Sequence, residues 1–296
     1  MAIERALVQV ARKPWGVEDL TPWSGVDGSD DPIGELRFQR GSGSESASRL
    51  LLKLLFARQS LSIQVHPDDA FAHSIGLPNG KTEAWYILSA APDARIAVGL
   101  TRRLTAKQLH QSIRDESIAD LVSWRPVIAG DVVLVPAGTI HAIGGGIVLA
   151  EIQQRSDATF RLFDFGRQRD LDEDRAVAVS DAGPIRIQAR PRRLNAARTA
   201  LIAGRYFVLE RIELAAGSKW TLNAEQETWL LVIDGAAMIG PVGATVGDVV
   251  FAEADRAEIE TGASGMTGLV AYPGPDPALG LLKERGDRLT CTGGMP

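Results

Sequence analysis

Short apolar runs, each halted by Gly, Pro, Asp or Asn and rich in β-branched residues, limit the fold of this chain more than any other feature. They include Leu61 to Val65, Ala84 to Leu88, Ile96 to Leu100, Val132 to Val135 and Gly146 to Ile152. After the basic stretch Arg190-Pro191-Arg192-Arg193 the pattern restarts with Tyr206 to Leu214, Glu227 to Val232, Asp248 to Phe251 and Gly268 to Ala271. This punctuation predicts an all-β barrel or sandwich. One interval differs: between Leu104 and Val122, Leu109, Ile113, Ile118, Leu121 and Val122 recur at helical spacing behind a candidate N-cap, Thr105, so one or two short helices are expected there. A length of 296 residues exceeds one ordinary core. Two domains are therefore expected, residues 1–193 and 194–296, with a helical insertion at about 104–123.

Composition narrows the partners. The net charge of -5, with basic residues scattered, argues against a nucleic-acid partner. The richest apolar run, Leu50 to Ala57, is interrupted by Lys53, so no bilayer span is expected. The opening Met1-Ala2-Ile3-Glu4-Arg5 lacks the apolar core of a signal peptide, which leads to the expectation of a cytoplasmic protein. A single cysteine, Cys291, excludes an intramolecular disulfide and a cysteine-based zinc site. A metal would need His and oxygen donors, and only His66, His73, His110 and His141 exist. His73 and His110 have no partner motif and are read as ordinary surface or structural residues.

The most informative stretch is Gly130-Asp131-Val132-Val133-Leu134-Val135-Pro136-Ala137-Gly138-Thr139-Ile140-His141, a strand and a Pro-x-Gly turn that delivers a histidine onto the next strand. It resembles the second motif of the cupin superfamily, with Gly145 where an Asn usually stands. The first cupin motif is then expected upstream, and Gln64-Val65-His66 with Glu83 fits it. Residues i and i+2 of a strand share a face, so Gln64 and His66 turn inward while Val65 packs outside. Two imidazoles, a carboxylate and an amide form a mixed donor set that a divalent cation accepts.

Gln64-Val65-His66-Pro67-Asp68-Asp69, then Gly80-Lys81-Thr82-Glu83-Ala84-Trp85-Tyr86, resembles the signature of the type I mannose-6-phosphate isomerases in their short bacterial form. Glu151-Ile152-Gln153-Gln154-Arg155-Ser156-Asp157-Ala158-Thr159-Phe160-Arg161 continues it, with weaker echoes in Lys13-Pro14-Trp15-Gly16 and Ile33-Gly34-Glu35. The resemblance implies a mainly β fold of two cupin-like jelly-roll barrels with a few short helices. The second barrel would be degenerate, since no histidine follows His141. It further implies one Zn2+ per chain, or another divalent ion, on Gln64, His66, Glu83 and His141, with Lys81, Glu151, Asp157 and Arg161 as catalytic residues. The implied reaction interconverts mannose 6-phosphate and fructose 6-phosphate through a cis-enediol, with a small sugar phosphate as ligand in a monomer or homodimer. Two positions depart from the long form: Gly80 replaces a His before the lysine, and Thr82 replaces a Pro after it. Glu151 or Asp157 paired with Arg161 in an internal ion network is the competing reading of those residues. Arg102, Arg103 and Arg167 are further phosphate candidates, and Trp15, Trp85 and Tyr86 are read as packing residues. A sugar-phosphate sensor without turnover and another metal-dependent cupin enzyme stand as alternatives.

Overall fold

In a computed structural model of the chain, residues 2–41, 48–167, 169–185 and 190–285 are described. The chain is mainly β with four short helices among these residues, as the punctuation predicts. A six-stranded sheet includes Leu7–Val17, Ile33–Gln39, Leu50–Ala57, Ile147–Gln154, Glu83–Ala90 and Val132–Val135, in that spatial order. A five-stranded sheet is ordered Phe160–Phe163, Ile63–Val65, His141–Ile143, Arg95–Leu100 and Val122–Pro126. The inner faces of these two sheets enclose Trp15, Leu55, Trp85, Ile87, Ile96, Val98, Val133 and Leu149.

Strand parity decides what each residue does. In Glu83–Ala90, Glu83, Trp85 and Ile87 point into the first barrel while Ala84 and Tyr86 point out. In Leu50–Ala57, Leu55 faces inward and Leu50, Leu52, Leu54 and Phe56 face outward, and all eight residues are buried. That double burial arises because the outer face of the six-stranded sheet meets a ten-stranded sheet built mostly from residues 192–284. Phe207, Leu209, Trp229, Leu231 and Phe251 fill that contact from the second side. The ten-stranded sheet encloses its own apolar interior around Val208, Leu222, Leu230, Val232 and Val250. Ala2–Arg5 also joins it, pairing antiparallel with Val249–Glu253.

The helical interval resolves into Ala106–Arg114 and Ile118–Leu121, the first opened by a reciprocal Thr105–Gln108 capping box. Leu109, Ile113 and Ile118 cover the outer face of the five-stranded sheet with Val65, Leu100 and Phe160. Two helices escape sequence reading. Asp69–Ser74, capped by Asp68, lies inside the expected loop from Pro67 to Lys81, and Glu173–Val179 follows the last strand of the five-stranded sheet. Both are too short to show periodicity. Within the basic stretch, Arg192–Arg193 forms a two-residue strand on Arg198–Ala203. The expected loose tail, Thr290 to Pro296 with Cys291, and most of the Gly/Ser loop at 42–47 lie outside the described residues.

One turn occurs twice. Gly130-Asp131-Val132-Val133 and Gly247-Asp248-Val249-Val250 both begin with a positive-φ glycine. Asp131 accepts from the Ile128 amide at 3.0 Å and Asp248 from the Thr245 amide at 2.9 Å. The Ile87 amide donates to Asp131 O and the Val232 amide to Asp248 O. Ile87 therefore corresponds to Val232, and four residues upstream Glu83 corresponds to Thr228.

Candidate metal centre

Three strand ends bring the donors together. Gln64 lies opposite His141 in one strand pair, and Glu83 lies on the facing sheet. His66, Glu83 and His141 each offer a ligand atom within 4.8 Å of the others, and all three are buried. His66 Nε2 is 3.2 Å from Glu83 Oε2, and His141 Nε2 is 3.4 Å from Glu83 Oε1.

The imidazoles are held from behind. His66 Nδ1 lies 2.8 Å from Ala158 O and His141 Nδ1 lies 2.8 Å from Thr139 O. A carbonyl can only accept, so both Nδ1 atoms carry the proton and both Nε2 lone pairs face the cluster, the tautomer a metal ligand requires. Burial first, and the Lys81 ammonium second, push the His66 imidazole down to about 3, with Glu83 opposing. Burial also lowers His141. Both rings are neutral near pH 7. Burial pushes the Glu83 carboxyl up, but the Lys81 ammonium beside it outweighs this and holds Glu83 well below the usual carboxylate range. Gln64 joins through its amide, whose nitrogen is 3.3 Å from His141 Nε2, while its oxygen accepts from Ser62 Oγ at 3.0 Å. Two neutral imidazoles, an ionised carboxylate and an adjacent amide suit a divalent cation.

A cavity of about 460 Å³ opens beside the cluster, lined by Gln64, Lys81, Glu151, Asp157 and Arg161 among others. Lys81 Nζ donates to Glu83 Oε2 at 2.6 Å and to His66 Nε2 at 3.0 Å. Glu151 pairs with Lys53 at 3.2 Å, both buried, and Trp85 Nε1 lies within reach of both Glu83 and Glu151. Burial, then the nearby Glu83 charge, raises the Glu151 carboxyl above its ordinary value, against Lys81 and Lys53. Asp157 sits at the rim, its side chain 70% exposed, 3.6 Å from Arg37. Arg161 faces Gln64 in register, and its Nε is buried with no hydrogen-bond partner among the described residues. The carboxylates thus pair with Lys53 and Arg37 rather than with Arg161.

The remaining candidates lie elsewhere. His73 Nε2 contacts Pro78 O and His110 pairs with Glu173. Arg103 pairs with Asp181 and Arg167 with Asp164. Trp85 and Tyr86 are buried in packed cores. Sequence reading missed Lys13, Arg37, Lys53 and Arg169 as cavity-lining cations. The signal for Lys53 was its position in an otherwise apolar strand.

Two glycines that depart from the expected motifs, Gly80 and Gly145, have steric counterparts. A Cβ on Gly80 would fall 2.4 Å from the Asp68 carbonyl carbon, so this backbone leaves no room for a side chain where the long form carries its His. A Cβ on Gly145 would lie 2.7 Å from Arg58 O, which excludes the usual Asn in the same way.

No family model matches the chain. A mannose-6-phosphate isomerase of Streptococcus mutans is 34% identical over 203 residues, 66% of this chain and 64% of that protein. ManA, a mannose-6-phosphate isomerase of Bacillus subtilis, is 45% identical over 40% of this chain and 38% of its own length. The matched region thus spans under two thirds of these relatives. A crystal structure of the mannose 6-phosphate isomerase from Bacillus subtilis aligns with 92% of this chain and all of that one at a TM-score of 0.81 and 23% identity. A phosphomannose isomerase from Salmonella typhimurium aligns over the same 92% with a TM-score of 0.72 at 17% identity. The resemblance to the type I mannose-6-phosphate isomerases holds in sequence, and the fold is shared with their solved structures.

Proposed function

We propose that this chain is a type I mannose-6-phosphate isomerase, interconverting mannose 6-phosphate and fructose 6-phosphate with one divalent ion, Zn2+ first among the candidates. The observation that carries this reading is the junction of the His66–Glu83–His141 donor set with a cavity rich in charged groups, in a chain whose curated relatives bear that name.

Aldose–ketose exchange moves a proton between adjacent carbons through a cis-enediol while carbonyl and hydroxyl trade places. Gln64, His66, Glu83 and His141 would hold the ion, which when bound supplies Lewis-acid stabilisation to the two sugar oxygens. Lys81 and Arg161, which line the same cavity, orient those oxygens and offset negative charge. Glu151 is the favoured proton carrier: it is buried inside the cavity wall and its affinity for a proton is raised, which suits transfer near neutral pH. Asp157 lies farther out, at the rim.

Residues 194–296 complete the reading as a degenerate second barrel. Thr228 stands where Glu83 does, and the interior there is filled by apolar side chains. Its service is to bury the outer face of the catalytic barrel. A cytoplasmic monomer or homodimer is part of the same proposal; no helix of the described residues is long and apolar enough to cross a membrane.

A coupled assay for fructose 6-phosphate formed from mannose 6-phosphate tests the reaction. Turnover by the wild type and its loss in Glu151→Gln and Arg161→Ala is expected. Sugar phosphate bound without turnover by the wild type would replace this reading with the sensor.

A further inference from the structure

Glu83 and Glu151 both stand inside the first barrel, and each gives one oxygen to a lysine. Lys81 Nζ donates to Glu83 Oε2 at 2.6 Å, and Lys53 Nζ is 3.2 Å from Glu151 Oε1. The two remaining oxygens meet one and the same group. Trp85 Nε1 lies 3.1 Å from Glu83 Oε1 and 3.3 Å from Glu151 Oε2, so a single N–H is shared between two carboxylates. Strand geometry brings this about: Glu83 and Trp85 are two residues apart on one face of their strand, and Glu151 is the cross-strand partner of Trp85. The indole is fully buried and stands edge-on to the His141 ring, with centroids 5.6 Å apart.

Packing alone does not call for an indole here, since other large apolar side chains fill such a volume without adding a buried donor that needs an acceptor. The same spacing recurs in the second barrel as Glu227-Thr228-Trp229, where Trp229 Nε1 donates to Glu227 Oε1 at 2.8 Å. That indole serves one carboxylate, in the apolar layer on the other side of the six-stranded sheet from the donor cluster.

We propose that Trp85 is a positioning residue of the centre, its one N–H fixing both the plane of the ligand Glu83 and the free oxygen of the proton carrier Glu151. The inference rests on the isomerase reading above for the role of Glu151. A carboxylate held at one oxygen still turns about its last bond, whose torsion is broad, and a donor on the second oxygen stops that rotation. Glu83 Oε1, the oxygen that Trp85 holds, is also the one that faces His141 Nε2 at 3.4 Å. The indole thus keeps the carboxylate turned toward the second imidazole, as an outer partner of a metal ligand does. For Glu151, Lys53 at one oxygen and Trp85 at the other leave a single orientation in the cavity wall. The N–H between the two carboxylates also offsets their mutual repulsion.

The test measures Zn2+ affinity of the full-length protein by competition with a chelator at fixed pH, which needs no turnover, and beside it kcat and KM for mannose 6-phosphate. Trp85→Phe keeps an aromatic ring and removes the N–H. It is expected to weaken Zn2+ binding by about tenfold or more and to lower kcat to a similar degree, with KM little changed. Trp229→Phe is the control: it too loses a buried indole–carboxylate bond and is expected to be less stable, but with the Zn2+ affinity and kcat of the wild type. Should Trp85→Phe fail to fold, benzothienylalanine at position 85, which puts sulfur in place of the N–H in a ring of the same shape, is expected to show the same losses. Wild-type Zn2+ affinity in the position-85 variant, or an equal loss of affinity in Trp229→Phe, overturns the assignment. A wild type that binds Zn2+ without turning over mannose 6-phosphate refutes the isomerase reading instead, and the affinity comparison still decides whether Trp85 holds Glu83.

Discussion

His66 stays neutral because burial and the Lys81 ammonium make a second positive charge costly, and the consequence is a stability that depends on pH. The folded-state value of about 3 lies below the ordinary 6.5, so between these limits the unfolded chain binds a proton that the folded chain refuses. The contribution is complete above 6.5 and is lost as pH falls toward 3, with His141 shifted in the same direction. For chelated protein the urea midpoint should therefore fall steadily from pH 7 to pH 5, and more steeply than in His66→Gln; equal slopes would contradict this account of the buried ring. At this scale the donors were legible because each sits in a spaced motif. Lys13, Arg37 and Lys53 were not, because a charge within a strand reads as a solvated face until its neighbours are known. Only the closing of the barrel over the inner face of Leu50–Ala57, where Lys53 meets Glu151, turns Lys53 into an interior residue.

The segment from Pro67 to Glu83 shows how an element positions a single side chain. Asp69 accepts from the Gly80 amide and from Gln154 Nε2, Gln154 accepts from the Thr82 amide, and Thr82 Oγ1 accepts from the Ala137 amide. These bonds bracket Lys81 on both sides. Gly80 is the point where the segment touches itself, with Asp68 and Asp69 backbone atoms under 3 Å from where a Cβ would stand. Gly80→Ala should thus cost about 1–3 kcal/mol of stability by overpacking and lower kcat by displacing Lys81. An equilibrium unfolding curve and a kcat both matching the wild type would show that the bracket tolerates movement. The sequence announced a loop here, but a six-residue helix is too brief for periodicity and its cap, Asp68, is a residue equally at home in a turn. The longer helix beginning at Ala106 was legible because it has both a stripe and a capping box.

Across the whole molecule, the two barrels are joined by an apolar layer and a buried carboxylate. Glu227 accepts the amides of Arg49 at 2.6 Å and Leu50 at 3.0 Å, and Trp229 Nε1 at 2.8 Å, so a residue of the second barrel fastens the strand that carries Lys53. Glu227→Ala leaves three donors in or near the interior without that acceptor and should cost about 2–4 kcal/mol. Since the layer is shared, thermal unfolding is expected as one calorimetric transition in both the wild type and this variant, and two resolved transitions would show that the barrels unfold independently. The restart of the strand pattern after the basic stretch was visible, but the ten-stranded sheet already begins with Arg192–Arg193 and also takes in Ala2–Arg5 from the start of the chain. The back-to-back contact of the barrels was not visible, because the residues that make it, such as Phe38, Leu52, Trp229 and Phe251, look in sequence like the inner faces of their own sheets.

The central claim is that His66, Glu83 and His141 hold a divalent ion on which isomerisation depends. Its most direct test measures bound metal and mannose 6-phosphate turnover together, in purified protein as isolated, after chelation, and after Zn2+ or Mn2+ is added back, with His141→Ala alongside. The account predicts about one ion per chain, activity that disappears with the ion and returns with it, and neither ion nor activity in His141→Ala. Full turnover in chelated protein, or in His141→Ala, would contradict it.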